Sequence, residues 1–145
     1  MITVSDVTKA VETAFNNDPL FTTFTIERSE FVNENPSLCP WLGIYRGDIT
    51  YDPETLGLGD DAWEGRMVLR LVAQATNFNS GAEAEDQLED YVNKIITKML
   101  GDTTLAGTID MITGIKVSYS YIAEEEETIY FQAAIIELTL EVSTS

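Results

Sequence analysis

The chain has 145 residues, of which 44% are hydrophobic and 23% are charged, and its formal net charge is −17. This length predicts a single domain, residues 1–145, large enough to bury about two-thirds of its unfolded surface. The 25 acidic residues outnumber eight basic ones. Such a surface repels phosphate backbones and anionic lipid, which argues against binding nucleic acid or a membrane through a basic patch.

The residue types that usually carry chemistry are scarce. Histidine is absent, and Cys39 is the only cysteine, so the chain has no intrachain disulfide, no zinc site made of thiolates and no histidine base for a hydrolase. We therefore predict no catalytic residue, no metal site and no cofactor. The chain shows neither an export signal nor an apolar run that would span a bilayer, and we expect it to be cytosolic where it is made.

The first third of the chain predicts one helix and two strands. Ser5 is the expected N-cap of a helix that ends near Phe15. Alternation around Phe24 and Ile26 predicts a strand, and Trp41–Asp48 predicts another. The buried face of the helix is expected to hold Val7, Ala10, Val11, Ala14 and Phe15.

A long acidic loop is predicted from Tyr51 to Trp63. Its carboxylates lack the spacing of a calcium-binding EF-hand loop, so an exposed or interface loop is the better interpretation. A loop of this length is typically mobile or functional. Trp63, Asp60 and Asp61 are therefore candidate interface residues.

Gly65–Thr76 predicts a strand with two different faces. One face is wholly apolar, with Met67, Leu69, Leu71, Ala73 and Ala75. The other carries Arg66, Val68, Arg70, Val72 and Gln74. Because this second face is only half polar, we predict that an assembly covers it, with Val68, Arg70 and Val72 as interface residues.

The clearest helix signal runs from Ser80 to Leu100. Ser80 and Glu83 form a capping-box pattern, and Gly101 is the expected stop. The predicted buried stripe comprises Ala84, Leu88, Tyr91, Val92, Ile95, Ile96, Met99 and Leu100.

Two strands and an acidic connection are predicted after this helix. The first strand has Ile115, Val117, Tyr119 and Tyr121 in alternation, and Glu124–Glu127 form the connection, which is expected to be a solvated turn. In the last strand the apolar positions are odd-numbered up to Ala133 and even-numbered from Ile136. This phase change predicts a β-bulge or a strand that leaves the sheet.

The order of these elements resembles the tail terminator, or tail completion, proteins of long-tailed bacteriophages. The resemblance covers nearly the whole chain in element order, without a signature motif. It rests on the helix Ser5–Phe15, the strand Arg66–Thr76, the capped helix Ser80–Leu100, the turn Leu105–Gly107 and the closing hairpin with Ile135–Leu140. It implies an α+β fold, with a mostly antiparallel sheet and two main helices packed on it.

The resemblance also implies a function. Proteins of this family form a hexameric ring on the head-proximal end of the tail tube, stop its polymerisation and present a surface to the head connector or neck proteins. We therefore expect a homo-oligomeric ring located in the virion tail, and in the host cytoplasm during assembly. A negative channel would let DNA pass without specific binding.

Two other classes of function stay open at this point. One is a small-molecule or metal-binding accessory domain. The other is an acidic module that mimics nucleic acid, which should bind a basic protein tightly at low salt. Self-association and binding to tail tubes distinguish the ring from both.

Overall fold

The computed structural model describes residues 3–28, 33–52, 64–123 and 130–143. Within these ranges, two main helices lie on one face of a single five-stranded sheet, which confirms the predicted α+β fold. The helices are α1 (Val4–Asn16) and α2 (Gly81–Gly101). The strands are β1 (Thr25–Arg28), β2 (Trp41–Asp52), β3 (Glu64–Asn77), β4 (Met111–Ala123) and β5 (Tyr130–Ser143).

The sheet has the strand order β1-β2-β3-β5-β4. β1 pairs in parallel with β2, and the other neighbours are antiparallel. β3 is therefore the central strand, while β1 and β4 are the two edges of the described sheet. β2 reaches four residues beyond the predicted end at Asp48, so Tyr51 and Asp52 belong to a strand and not to the predicted loop.

The first helix begins earlier than predicted. Thr3, rather than Ser5, is the N-cap of α1: its side chain accepts a hydrogen bond from Asp6 N, and the Asp6 carboxylate accepts one from Thr3 N. This reciprocal pair is a capping box, which satisfies two backbone donors at the start of the helix. Val7, Val11 and Phe15 are buried as predicted, and Ala10 and Ala14 are half buried.

The second helix begins where the sequence predicts. Ser80 is the N-cap and its side chain accepts from Glu83 N, but the Glu83 carboxylate accepts from Asn79 Nδ2 instead of closing a capping box. The buried stripe is narrower than predicted because Leu100 is 57% exposed. Tyr91 and Ile96 are half buried, and the fully buried members are Ala84, Leu88, Val92, Ile95 and Met99.

Most of the core lies between the helices and the sheet. The odd-numbered apolar residues of β3 face the helices, as predicted, and β5 contributes its even-numbered residues from Ala134 to Val142. A second, smaller cluster lies on the opposite face of the sheet and comprises Trp41, Val72 and Ala133, with Leu38, Cys39 and Ile135 packed against them.

This second cluster explains the phase change in the last strand. The prediction of either a bulge in that strand or a strand that leaves the sheet is wrong. β5 pairs with β3 without a register shift from Tyr130 to Ser143. Both of its faces are buried near its start, since Phe131, Gln132, Ala133 and Ala134 are all at most 8% exposed. The pairing between β5 and β4 does shift register at two points. In both, the additional residue belongs to β4, between Ile112 and Gly114 and between Tyr121 and Ala123.

Candidate interface on the open face of the sheet

The sheet face opposite the helices, here called the open face, is formed by alternate residues of neighbouring strands. Residues directly opposite each other in an antiparallel pair point to the same side. Tyr45, Arg70, Glu137 and Lys116 therefore make one row across β2, β3, β5 and β4. A parallel row on β3 and β5 contains Arg66 and Glu141, and between the two rows lies Val68, opposite Thr139.

Arg70 lies at the centre of the open face. Its Nε is 3.4 Å from Glu137 Oε2, and the two side chains are 35% and 37% exposed. Gly47, at the register shift in β2, makes room for this arginine, because a Cβ there would lie 2.9 Å from Arg70 Nη1 and 2.6 Å from the Val68 carbonyl oxygen. The open face thus has a half-buried valine beside a half-exposed ion pair.

The three predicted interface residues on β3 differ in exposure. Val68 and Arg70 are partly exposed and lie on the open face as the alternation predicts. Val72 is only 2% exposed, since it packs against Trp41 and Ala133 in the smaller cluster. It therefore offers almost no surface to a neighbouring molecule. The other three candidates, Asp60, Asp61 and Trp63, lie outside the described residues, as does Glu124–Glu127.

The segment of residues 33–40 covers one end of the open face, which the sequence analysis did not predict. Trp41 is completely buried, with its Nε1 donating to Glu27 Oε2 at 3.0 Å. The Gln74 amide, oriented to match its neighbours, accepts from Asn33 N and donates to Asn33 O at 3.1 and 3.0 Å. Pro36 and Pro40, within the segment, signal an irregular chain, but no local pattern predicts which surface that chain will cover.

The one thiol in the chain lies within this covering segment. Cys39 is half buried, and burial raises its pKa to about 11. A thiol with that pKa is almost entirely protonated near neutral pH, and the thiolate is the nucleophilic form. We therefore assign the Cys39 side chain a structural role, in which it packs against the cluster of Trp41 and Val72.

The described residues contain neither a cluster of metal ligands nor a membrane-spanning helix. Among the described ranges, Cys, Asp and Glu side chains form no group of three or more that would hold a metal ion. No helix in those ranges is long and apolar enough to cross a membrane. The chain matches no protein-family model and no curated protein.

Proposed function

We propose that this protein is a structural component of a phage virion, which forms a homo-oligomeric ring, expected to have six copies, on the head-proximal end of the tail tube. In this role it ends tube polymerisation and joins the tube to the head connector or neck proteins. DNA passes through the ring without specific binding. The observation that carries the proposal is the open face: a strongly acidic chain keeps one nearly charge-balanced, partly apolar surface outside its core.

The charge balance of the open face is unusual for this chain. Three of the eight cations in the sequence, Arg66, Arg70 and Lys116, lie in the rows described above, opposite Glu137 and Glu141. Elsewhere on the surface the balance is reversed: α2 exposes Glu83, Glu85, Asp86, Glu89 and Asp90 before its first lysine. Copies carrying −17 each repel least where their surfaces are locally neutral.

The apolar side chains of the open face favour contact with another protein surface over exposure to water. Val68 is half buried within one molecule and lies between Arg66 and Arg70 on the same face of β3. Covering it removes apolar surface from water, which gains about 25 cal/mol per Å². Repetition of one such contact head to tail generates a closed ring when its rotation closes.

The salt dependence of assembly tests the proposal directly. A ring of six copies carries six times the charge of −17 on one copy, and the resulting repulsion is screened over about 10 Å at 0.1 M salt. Salt does not weaken the apolar attraction. We expect light scattering to show a ring fraction that rises from low to moderate salt, and electron microscopy to show rings on the ends of tail tubes.

A charge placed on the open face should prevent assembly without unfolding the monomer. Val68→Glu adds a carboxylate beside Glu137, on a half-buried position, and Thr13→Glu adds the same charge to an exposed position of α1. We expect Val68→Glu to abolish rings while Thr13→Glu retains them, both with wild-type circular dichroism. A protein that neither self-associates at any salt nor binds tail tubes contradicts the proposal.

A second candidate function, an acidic module that mimics nucleic acid, is favoured by one observation. The first half of α2 exposes five carboxylates between Glu83 and Asp90. A mimic of this kind binds a basic protein as a monomer or dimer, and its complex dissociates as salt is added. The opposite salt dependence therefore separates the two functions in one series of measurements.

A further inference from the structure

The edge strand β4 and the adjacent flank of α2 form a groove that neither the core nor the open face uses. The groove has a volume of about 310 Å³ and is lined by Glu85 and Glu89 of α2, Tyr119 and Ser120 of β4, and Gln132 of β5. We propose that it binds an extended, basic segment of a partner protein, which adds to the sheet as a strand beside β4. This inference is independent of ring formation.

The backbone of β4 is suited to receive another strand. Among the described residues β5 is its only neighbour in the sheet, so alternate residues of β4 direct their N–H and C=O groups away from β5. From Gly114 to Tyr121 the pairing with β5 runs in unbroken register. At about 3.3 Å per residue, this regular edge is roughly 25 Å long.

The side chains of β4 do little to block pairing. Natural edge strands are usually protected by proline, by several charges or by being short. β4 has 13 residues, no proline, no acid and a single cation, Lys116, which lies in a row of the open face. The opposite edge, β1, has only four residues. β4 is thus the long, nearly uncharged edge of a chain that is otherwise strongly acidic.

The helix side of this edge is incompletely covered. α2 packs over β3 and β5, and the β4 residues that face the same way become more exposed along the strand: Ile115 and Val117 are half buried, whereas Tyr119 is 58% exposed. An added strand would extend the sheet under the flank of α2 and cover these three side chains. Some of the side chains on the helix side of that strand must therefore be apolar.

The charges along the groove specify the other side chains on the helix side of the added strand. Glu85 and Glu89 are one helical turn apart on the flank facing β4, both are exposed, and no cation is among the described residues that line the groove. Gln132, only 8% exposed, closes the end of the groove by donating from Nε2 to Gly81 O at 3.2 Å. Arginine or lysine on the helix side of the added strand would pair with the two glutamates.

A second copy of this chain does not meet these requirements with its described residues. Alternating cations occur on β3, at Arg66 and Arg70, but β3 is already paired on both sides by β2 and β5. A copy that pairs antiparallel through its own β4 brings one lysine, which stays on the open face and points away from the groove. The other edge strand, β1, brings one cation, Arg28, on only four residues, against the eight of the regular β4 edge from Gly114 to Tyr121. Charge complementarity therefore favours a basic partner segment.

A short acetylated peptide provides the probe. In this peptide every second residue is threonine, and the residues between are arginine or valine. The arginine and valine side chains therefore share one face of the strand. We expect it to bind the full chain, as measured by calorimetry, and to protect amides of β4 from hydrogen exchange. The same peptide with glutamate in place of arginine, or with N-methyl groups on the amides of its pairing edge, should not bind.

Variants with matched controls locate the site. Glu85→Gln with Glu89→Gln removes both groove charges and should weaken binding about fivefold, in line with two exposed ion pairs. Asp86→Asn with Glu12→Gln changes the net charge equally outside the groove and should leave the affinity unchanged. Tyr119→Ala should weaken binding, whereas Leu20→Ala, at a 66% exposed position of another element, should not.

Three results would overturn the proposal. Equal binding of the N-methylated peptide excludes strand addition, and equal affinity of the Glu85→Gln, Glu89→Gln variant excludes the groove. Protection of the outward β4 amides in the protein alone, at concentrations where light scattering shows a dimer, assigns the edge to a second copy. None of these outcomes depends on whether the protein forms rings on tail tubes.

Discussion

The two faces of the same sheet are covered in different ways. On the helix side, α1 and α2 bury the apolar residues of β3 from Met67 to Ala75 along the whole strand. On the open face, the segment of residues 33–40 covers only the end that holds Trp41 and Val72, and it leaves Val68 and Arg70 partly exposed. The single strand β3 therefore contributes to the main core under the helices, to the smaller cluster around Trp41 and to the exposed part of the open face.

This difference shows that the burial of a strand residue depends on which segments pack over it, and not only on the alternation of apolar and polar positions. Val68 and Val72 are chemically identical and point to the same side of β3, yet one is half buried and the other is 2% exposed. The covering segment is polar at its start, where Asn33 bonds to the buried Gln74, and apolar at its end, where Leu38 packs on Trp41. Substitutions on each face test how far the two faces differ in their contribution to stability.

The largest effect is expected for Trp41→Ala. Trp41 is completely buried although it lies on the less covered face, so its truncation should destabilise the protein by about 3–5 kcal/mol, as in any core. Trp41→Phe keeps most of the packing and loses only the hydrogen bond to Glu27, at a cost of about 1 kcal/mol. Urea unfolding followed by circular dichroism measures both. A loss below about 1 kcal/mol for Trp41→Ala would mean that the small cluster contributes little.

Two adjacent residues of β3 provide the most direct comparison of the faces. Leu69 is completely buried against the helices, whereas Val68 is half buried on the open face. Leu69→Ala should cost about 2–5 kcal/mol of unfolding free energy, and Val68→Ala about 1 kcal/mol or less. The same urea titrations, performed on the monomer at low concentration, provide the values. Similar losses for the two variants would show that the open face is covered within a single molecule.

The smallest effect concerns an ion pair at the helix side. Asp18 Oδ1 accepts from Leu20 N at 2.9 Å, and Asp18 Oδ2 lies 3.1 Å from Lys98 Nζ. The Leu20 N–H first, and then Lys98, lower the pKa of Asp18 below its ordinary value of 3.8. A lowered pKa contributes stability that is fully present above the unfolded value and is lost as the pH falls through the folded value.

Asp18→Asn tests this contribution because asparagine can still accept the hydrogen bond from Leu20 N but carries no charge. We expect the melting temperature of the variant to lie slightly below wild type from neutral pH down to about pH 4, and the difference to vanish in stronger acid. Asp90→Asn, which breaks the more exposed pair with Lys94 at 2.9 Å, is the control and should change the melting temperature less. A difference that persists unchanged at about pH 2 would exclude a charge effect.

Local patterns were sufficient to predict most elements of this protein. The capped helix α2, the alternating strand β3 and the strand β4 appear close to their predicted positions, because each has a side-chain period and end signals within its own segment. The α1 cap was misplaced by two residues, since Thr3 and Ser5 are both good caps and only the reciprocal bond with Asp6 distinguishes them.

The candidate interface was predicted only in part. Alternation along β3 is a local property, and it correctly placed Val68, Arg70 and Val72 on the face opposite the helices. It did not predict that Arg70 pairs with Glu137, which is 67 positions away in the sequence, because the register between β3 and β5 is fixed by the whole sheet.

Only the tertiary structure decided which parts of the sheet remain accessible. The burial of Val72, the double burial at the start of β5 and the exposure of Tyr119 depend on where residues 33–40 and α2 come to lie. Those positions follow from long-range contacts that carry no periodic signal in the sequence. The sequence by itself determined the helices, the strands and their apolar faces, since these arise from neighbours a few residues apart. The exposed part of the open face, and the position of β4 at the edge of the described sheet, arise from packing between distant segments.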